Sequence, residues 1–207
     1  MKEKMNANKK KIEWNNMGII IALAVMVIFF SFSTTSFLTP NNLANIARQI
    51  SIVGICAVGM TCVILTGGID LSIGSLIGVV VVTCATLMSK GVNPVLGFAI
   101  GIVIGIINAT CITCLKIPPI ITTLGMMISL RGATYLISGG MPIYGIPEGF
   151  KILGQGSIGL VPISMIIMVL VFIFGYIMLG KTVFGRRIYG IGGNEETTRL
   201  SGGNVKK

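Results

Sequence analysis

The sequence predicts an all-α fold: a polytopic transmembrane helix bundle of about six spans. Three observations predict it. The 207 residues are 53% hydrophobic and only 11% charged, against roughly 25% charged residues in ordinary soluble domains. The apolar residues gather into runs close to the ~20 residues that cross a bilayer. Most of the basic residues lie outside those runs, at the two ends of the chain.

Residues 1–16 are polar and basic, with Lys2, Lys4, Lys9, Lys10 and Lys11. The run from Met17 to Leu38 exceeds the roughly 7–15 residues of a signal-peptide core, and no small-residue cleavage site clearly follows, so it reads as a retained first span. Further spans are expected over Ile50–Thr66, Leu71–Ser89, Pro94–Leu115, Ile120–Ser138 and Val161–Gly180. The second is short, which predicts a broken or tilted helix. Between the fifth and sixth lies Ser138–Pro162, rich in glycine and proline and expected to form turns rather than helix, giving an external loop over 139–160. Residues 181–207 are again basic, with Lys181, Arg186, Arg187, Arg199, Lys206 and Lys207.

An even number of crossings returns the chain to its starting side. Both basic clusters then fall on the cytoplasmic side of the membrane, with Lys116 inside and only Arg48, Lys90 and Lys151 outside, as the positive-inside rule requires. The net charge of +10 is thereby explained by topology. Nucleic acid is excluded as a partner, because no aromatic residues interleave with the basic ones as a stacking surface would need.

Other classes drop out on residue type. The chain has no histidine, and its cysteines Cys56, Cys62, Cys84, Cys111 and Cys114 all lie within apolar runs, so neither a metal site nor a disulfide framework is expected. An intramembrane enzyme would need paired carboxylates or metal ligands that the spans lack. The segment GYIMLGKT, Gly175 to Thr182, fits a phosphate-loop pattern. A phosphate cradle, however, is a loop between strand and helix, whereas Tyr176, Ile177, Met178 and Leu179 are bulky and continue a span. No cofactor is expected. Gly97, Gly101 and Gly105, and likewise Gly74 and Gly78, recur every four residues and predict close helix packing.

Two polar features remain inside the apolar region. Arg131 sits within the fifth span, where a cation costs about 2.5–3.5 kcal/mol on insertion scales unless it faces protein or water. The stretch LTGGIDLSIGS, Leu65 to Ser75, holds the only aspartate of the chain, Asp70. Gly67 and Gly68 can end one helix there, and Asp70 or Ser72 can cap the next.

LTGGIDLSIGS, with AVGMTCVILTGG before it, resembles the signature segment of the membrane subunits of ribose/xylose/arabinose/galactose-type ATP-binding-cassette (ABC) sugar importers. IPPIITTLGMMISLRGATYLISGG (117–140) and GRRIYGIGGNEETTRLSGGNV (185–205) resemble that family's next two marked segments, in order and spacing. Departures are Ile120 where phenylalanine is usual, Thr197 and Thr198 where alanines are usual, and Gly203 where an apolar residue is usual. The resemblance also implies further spans after residue 207, so the chain reads as C-terminally truncated.

The resemblance implies a permease subunit that hydrolyses nothing itself. Its expected partners are an ABC ATPase subunit, an extracytoplasmic sugar-binding protein, a second permease copy and membrane lipid. Residues 185–205 would carry a coupling helix, with Glu195, Glu196, Arg199 and Gly202 meeting the ATPase. Candidate pathway residues, by type alone, are Thr61, Thr66, Asn108, Thr122 and Thr123, with Ser72 and Arg131. The alternative readings are an ion-coupled secondary transporter or channel using Asp70 and Arg131, and a non-transporting remnant.

Overall fold

A computed structural model describes residues 2–200, with the side chains of 17–194 and 196–200. The chain divides into two units, residues 1–47 and 48–207.

The first unit holds helix α1, Lys2–Ser33, and the beginning of α2, Pro40–Leu65. Helix α1 runs through the basic residues into the apolar run and ends five residues before Leu38. The chain then turns, with the rings of Phe30 and Phe37 5.7 Å apart. Thr39 starts α2: its Oγ1 accepts from the amide of Asn42, while Asn42 Nδ2 donates to the Phe37 carbonyl at 2.8 Å. Pro40 follows Thr39 at the first helical position, where a missing N–H costs nothing. Helix α2 is therefore one continuous helix of 26 residues, not the short or broken span expected. Its first turns are polar (Asn41, Asn42, Asn45, Arg48), and a hydropathy reading begins only where the apolar residues do.

The second unit carries the rest of α2, then α3 (Ile73–Ser89), α4 (Val95–Thr113), α5 (Pro119–Ser138), α6 (Glu148–Gln155), strands β1 (Ser157–Ile158) and β2 (Val161–Pro162), α7 (Ile163–Lys181), α8 (Val183–Gly193) and α9 (Glu195–Leu200). Helices α2, α4, α5 and α7 are long and apolar enough to cross a membrane, and Met17–Ser33 and Ile73–Ser89 are shorter apolar helices. Each overlaps one of the six expected spans, and the apolar parts of α1 and α3 are shorter than the spans expected there.

Helix α3 lies between α4 and α5. Its Val79 meets Ile104 and Leu130 in the buried core, with Leu76, Val80, Ile100, Met126 and Ala133 around them. Large apolar side chains elsewhere face outward, Ile102 and Leu136 among them, as lipid-facing residues do where the surrounding medium is as apolar as they are. Glycines set the close approaches. A Cβ on Gly97 would strike Cys84, and one on Gly101 would stand 3.1 Å from Val80, so α4 meets α3 along this stripe. Gly105, the third member, meets nothing within 4 Å. Helices α2 and α7 approach through Gly54, against Met168 and Phe172, and through Gly175, against Val58.

The segment 139–160 differs from expectation. Rather than turns alone, it contains α6, with Glu148 in its first turn paired to Lys151 at 2.6 Å, and a two-stranded hairpin whose turn carries Gly159 at φ +63°. Arg48 of α2 donates to the Gln155 carbonyl at 2.9 Å, and Gly145 lies against Ser89 at the end of α3. Glycine and proline here bound short elements, which is why composition alone read as loop. Gly175 to Lys181 is α7 helix, the bulky continuation that ruled out a phosphate loop.

Candidate functional site: the turn before α3 and its surroundings

The chain leaves α2 through a Schellman turn. The amide of Gly68 donates to the Val63 carbonyl at 3.1 Å and that of Gly67 to Ile64 at 2.9 Å. Gly67 adopts φ +79°, the left-handed conformation that ends helices and that side chains with a Cβ resist. Gly68 is not left-handed; it closes the turn through its amide.

Asp70 organises the entrance to α3. Its Oδ1 accepts from the Ser72 amide at 2.8 Å and from Ser72 Oγ at 2.6 Å, an Asx turn that leads into the helix. Helix α3 starts one residue later with no side-chain capping bond. Asp70 thus shapes the turn through Ser72 and does not bond the amides of α3, and Ser72 at the N-cap position makes no side-chain capping bond either. The Ser72 hydroxyl in turn accepts from Asn108 Nδ2 of α4 at 3.1 Å. From α5, Thr123 Oγ1 lies 3.3 Å from the Ile69 carbonyl and 2.8 Å from the Pro119 carbonyl, to which it donates. Ser72, Asn108 and Thr123 are all buried. Two polar atoms beside them, Asn108 Oδ1 and Thr122 Oγ1, are buried without a partner.

Four residues singled out in the sequence, Asp70, Ser72, Asn108 and Thr123, are therefore brought into one cluster joining α3, α4 and α5. Thr61 and Thr66 are not part of it. Both are exposed, and their hydroxyls donate to the Ala57 and Val63 carbonyls of their own helix.

Arg131 stands elsewhere, on a groove between α3 and α5 of about 310 Å³, lined by Leu71, Gly74, Ser75, Gly78, Met127, Arg131, Thr134 and Tyr135. The groove begins at the signature stretch, which contributes Leu71, Gly74 and Ser75.

The segment after α7 turns sharply. Thr182 Oγ1 accepts from the Gly185 amide at 3.2 Å, starting α8, and a Cβ on Gly185 would strike the Leu179 carbonyl. A Cβ on Gly192 would strike the carbonyl of Leu65, so α8 lies on the end of α2 where the signature turn begins. Helix α9 is capped by Asn194, whose Oδ1 accepts from the Thr197 amide at 2.9 Å. Glu196 and Arg199 form an exposed pair at 4.0 Å. The side chain of Glu195, and Gly202 with the residues after it, lie outside the described part. The sequence reading missed Asn194, although asparagine before GluGlu is a cap signal. It also missed Gly192 and Ser75, whose importance depends on which helix packs opposite. Among the described residues no group of acidic, histidine or cysteine side chains could hold a metal ion.

These features define a class: a multi-pass helical membrane protein whose helix-ending turn is pinned by buried polar side chains. The family model described as "Branched-chain amino acid transport system / permease component" matches residues 42–207, and the chain belongs to that family. It is 41% identical to the Ribose import permease protein RbsC of Bacillus subtilis over 99% of this chain and 67% of that one. It is 41% identical to RbsC of Escherichia coli K12, over 91% of this chain and 61% of that one. It is 35% identical to the Galactose/methyl galactoside import permease protein MglC of Salmonella typhimurium, over 96% and 66%. The chain thus spans about three fifths to two thirds of the length of these relatives. No solved structure matches it.

Proposed function

We propose that this chain is permease sequence of an ABC importer for monosaccharides of the ribose type, providing part of the substrate path and coupling to a separate ATPase. The observation that carries this reading is the similarity to ribose and galactose import permeases across nearly the whole chain. The pinned turn at Gly67–Ser72 is consistent with it, being the stretch that resembles the family's signature.

In this reading the chain binds no cofactor and hydrolyses nothing. Residues 1–16 and 181–207 face the cytoplasm, residues 17–180 form the membrane bundle, and the segment 139–160 faces the sugar-binding protein. Glu195, Glu196, Arg199 and Gly202 meet the ATPase. Because α8 rests on the end of α2 at Leu65, movement of the ATPase would be transmitted to the signature turn, and through Asn108 and Thr123 to α4 and α5. Rigid-body tilting of packed helices is the kind of switch that such contacts support. A second permease copy and lipid cover the outward apolar faces.

The test is uptake of radiolabelled D-ribose into proteoliposomes that hold this chain with its organism's ABC ATPase and sugar-binding protein. Uptake that needs ATP and the binding protein supports the reading. Uptake driven by an ion gradient without ATP would replace it with the secondary-transporter alternative.

A further inference from the structure

We infer that the groove between α3 and α5 is a contact site for the sugar itself, with Arg131, Ser75 and Tyr135 as the recognising groups. This rests on the importer reading above and deepens it by placing a substrate contact.

Arg131 carries the argument. It makes no hydrogen bond or ion pair among the described residues. The acidic residues of the chain are Glu3, Glu13, Asp70, Glu148, Glu195 and Glu196. Of these only Asp70 lies in the apolar region; its Oδ1 accepts from Ser72, and among the described residues no ion pair joins it to Arg131. Arg131 is exposed along the groove and stands seven residues before the end of α5 at Ser138, about 10 Å along the axis, a long way for its side chain to reach past the helix end. A guanidinium with five donors in such a place needs acceptors that the described helices do not supply.

The groove offers what a sugar ring would use. Ser75 is nearly buried, and its hydroxyl makes no hydrogen bond among the described residues. The Thr134 hydroxyl donates to Leu130 at 2.8 Å and keeps lone pairs to accept. Tyr135 brings an exposed aromatic ring, suited to the C–H face of a sugar. Gly74 and Gly78 leave the α3 wall without side chains, Gly78 allowing Thr134 Oγ1 within 3.8 Å of where a Cβ would stand. The volume of about 310 Å³ falls at the low end of small-ligand sites. Sugar hydroxyls would satisfy Arg131 without carrying net charge into the bilayer.

The test is protection of an introduced thiol. Tyr135→Cys and, separately, Thr134→Cys are made in the full chain in lipid nanodiscs. Maleimide labelling is read by mass spectrometry on the peptide holding the new thiol, so the native cysteines stay. D-Ribose at roughly ten times its dissociation constant should slow labelling about tenfold, with mannitol at equal osmolarity as control. Arg131→Gln and Ser75→Ala should each abolish the protection while leaving the unprotected rate unchanged. Equal rates with and without ribose in both cysteine variants overturn the inference. So does protection that follows anionic lipid content, or slow labelling accompanied by thiol cross-linking between copies. The uptake assay separates the failures: ATP-dependent uptake without protection removes this site and leaves the importer reading standing, whereas ion-driven uptake removes the reading.

Discussion

Asn108 Nδ2 of α4 donates a 3.1 Å hydrogen bond to Ser72 Oγ at the entrance of α3, and that same hydroxyl donates to Asp70 at 2.6 Å. The relay makes the signature turn and α4 one polar unit. Interhelical hydrogen bonds of this kind average about 0.6 kcal/mol in membrane proteins, with a maximum near 1.7. Asn108→Ala and Ser72→Ala should each lower stability in detergent. In a double-mutant cycle the pair should fall short of additivity by about 0.5–1.5 kcal/mol. Strict additivity in reversible unfolding would mean that the bond contributes nothing.

Asp70 acts in this geometry as an acceptor, and one oxygen does the accepting. Asp70→Asn keeps that oxygen and should retain folding and ATP-dependent uptake close to normal. Asp70→Ala leaves the Ser72 amide and hydroxyl unmatched, at about 1–3 kcal/mol. If Asp70→Asn were as damaging as Asp70→Ala, the charge itself would be required, as in the ion-path alternative.

Gly67 has φ +79° with nothing within 4 Å of a Cβ, so its requirement is purely conformational. Gly67→Ala should cost about 1–2 kcal/mol, and Gly67→Asn less, since asparagine also ends helices in this conformation. Thermal melts of the purified variants would rank the three residues Gly, Asn, Ala in falling stability.

The glycine stripe of α4 is not uniform. Gly97→Ala places a methyl on Cys84 and should destabilise by about 1–3 kcal/mol. Gly105→Ala meets nothing and should be neutral, or stabilising by up to about 1 kcal/mol through helix propensity. Equal effects at the two positions would contradict the packing of α3 on α4.

Glu196 and Arg199 are both exposed and 4.0 Å apart, a pair worth about 0.3–0.5 kcal/mol. Glu196→Ala should leave the melting curve of the isolated chain unchanged. In the assembled complex it should lower sugar-stimulated ATP hydrolysis, since the proposed role of this residue is contact with the ATPase. Unchanged hydrolysis would remove Glu196 from the coupling surface.

The sequence by itself determined the number and order of the apolar helices, because bilayer thickness sets a minimum apolar length that composition reveals. It also determined the turn at Gly67 and the place of the cation Arg131 in an apolar helix, since each is a local feature: a left-handed residue, an ion in an apolar run. It misjudged the start of α2, where a Thr39 cap outweighs hydropathy, and the helix α6, whose polar surface resembles loop. Only the tertiary structure decided that Asn108 and Thr123 hold the signature turn while Thr61 and Thr66 bond within their own helix. All four are uncharged polar residues amid apolar ones. What separates them is which face of each helix is buried and what lies opposite, and only the packing of α3 against α4 and α5 fixes that.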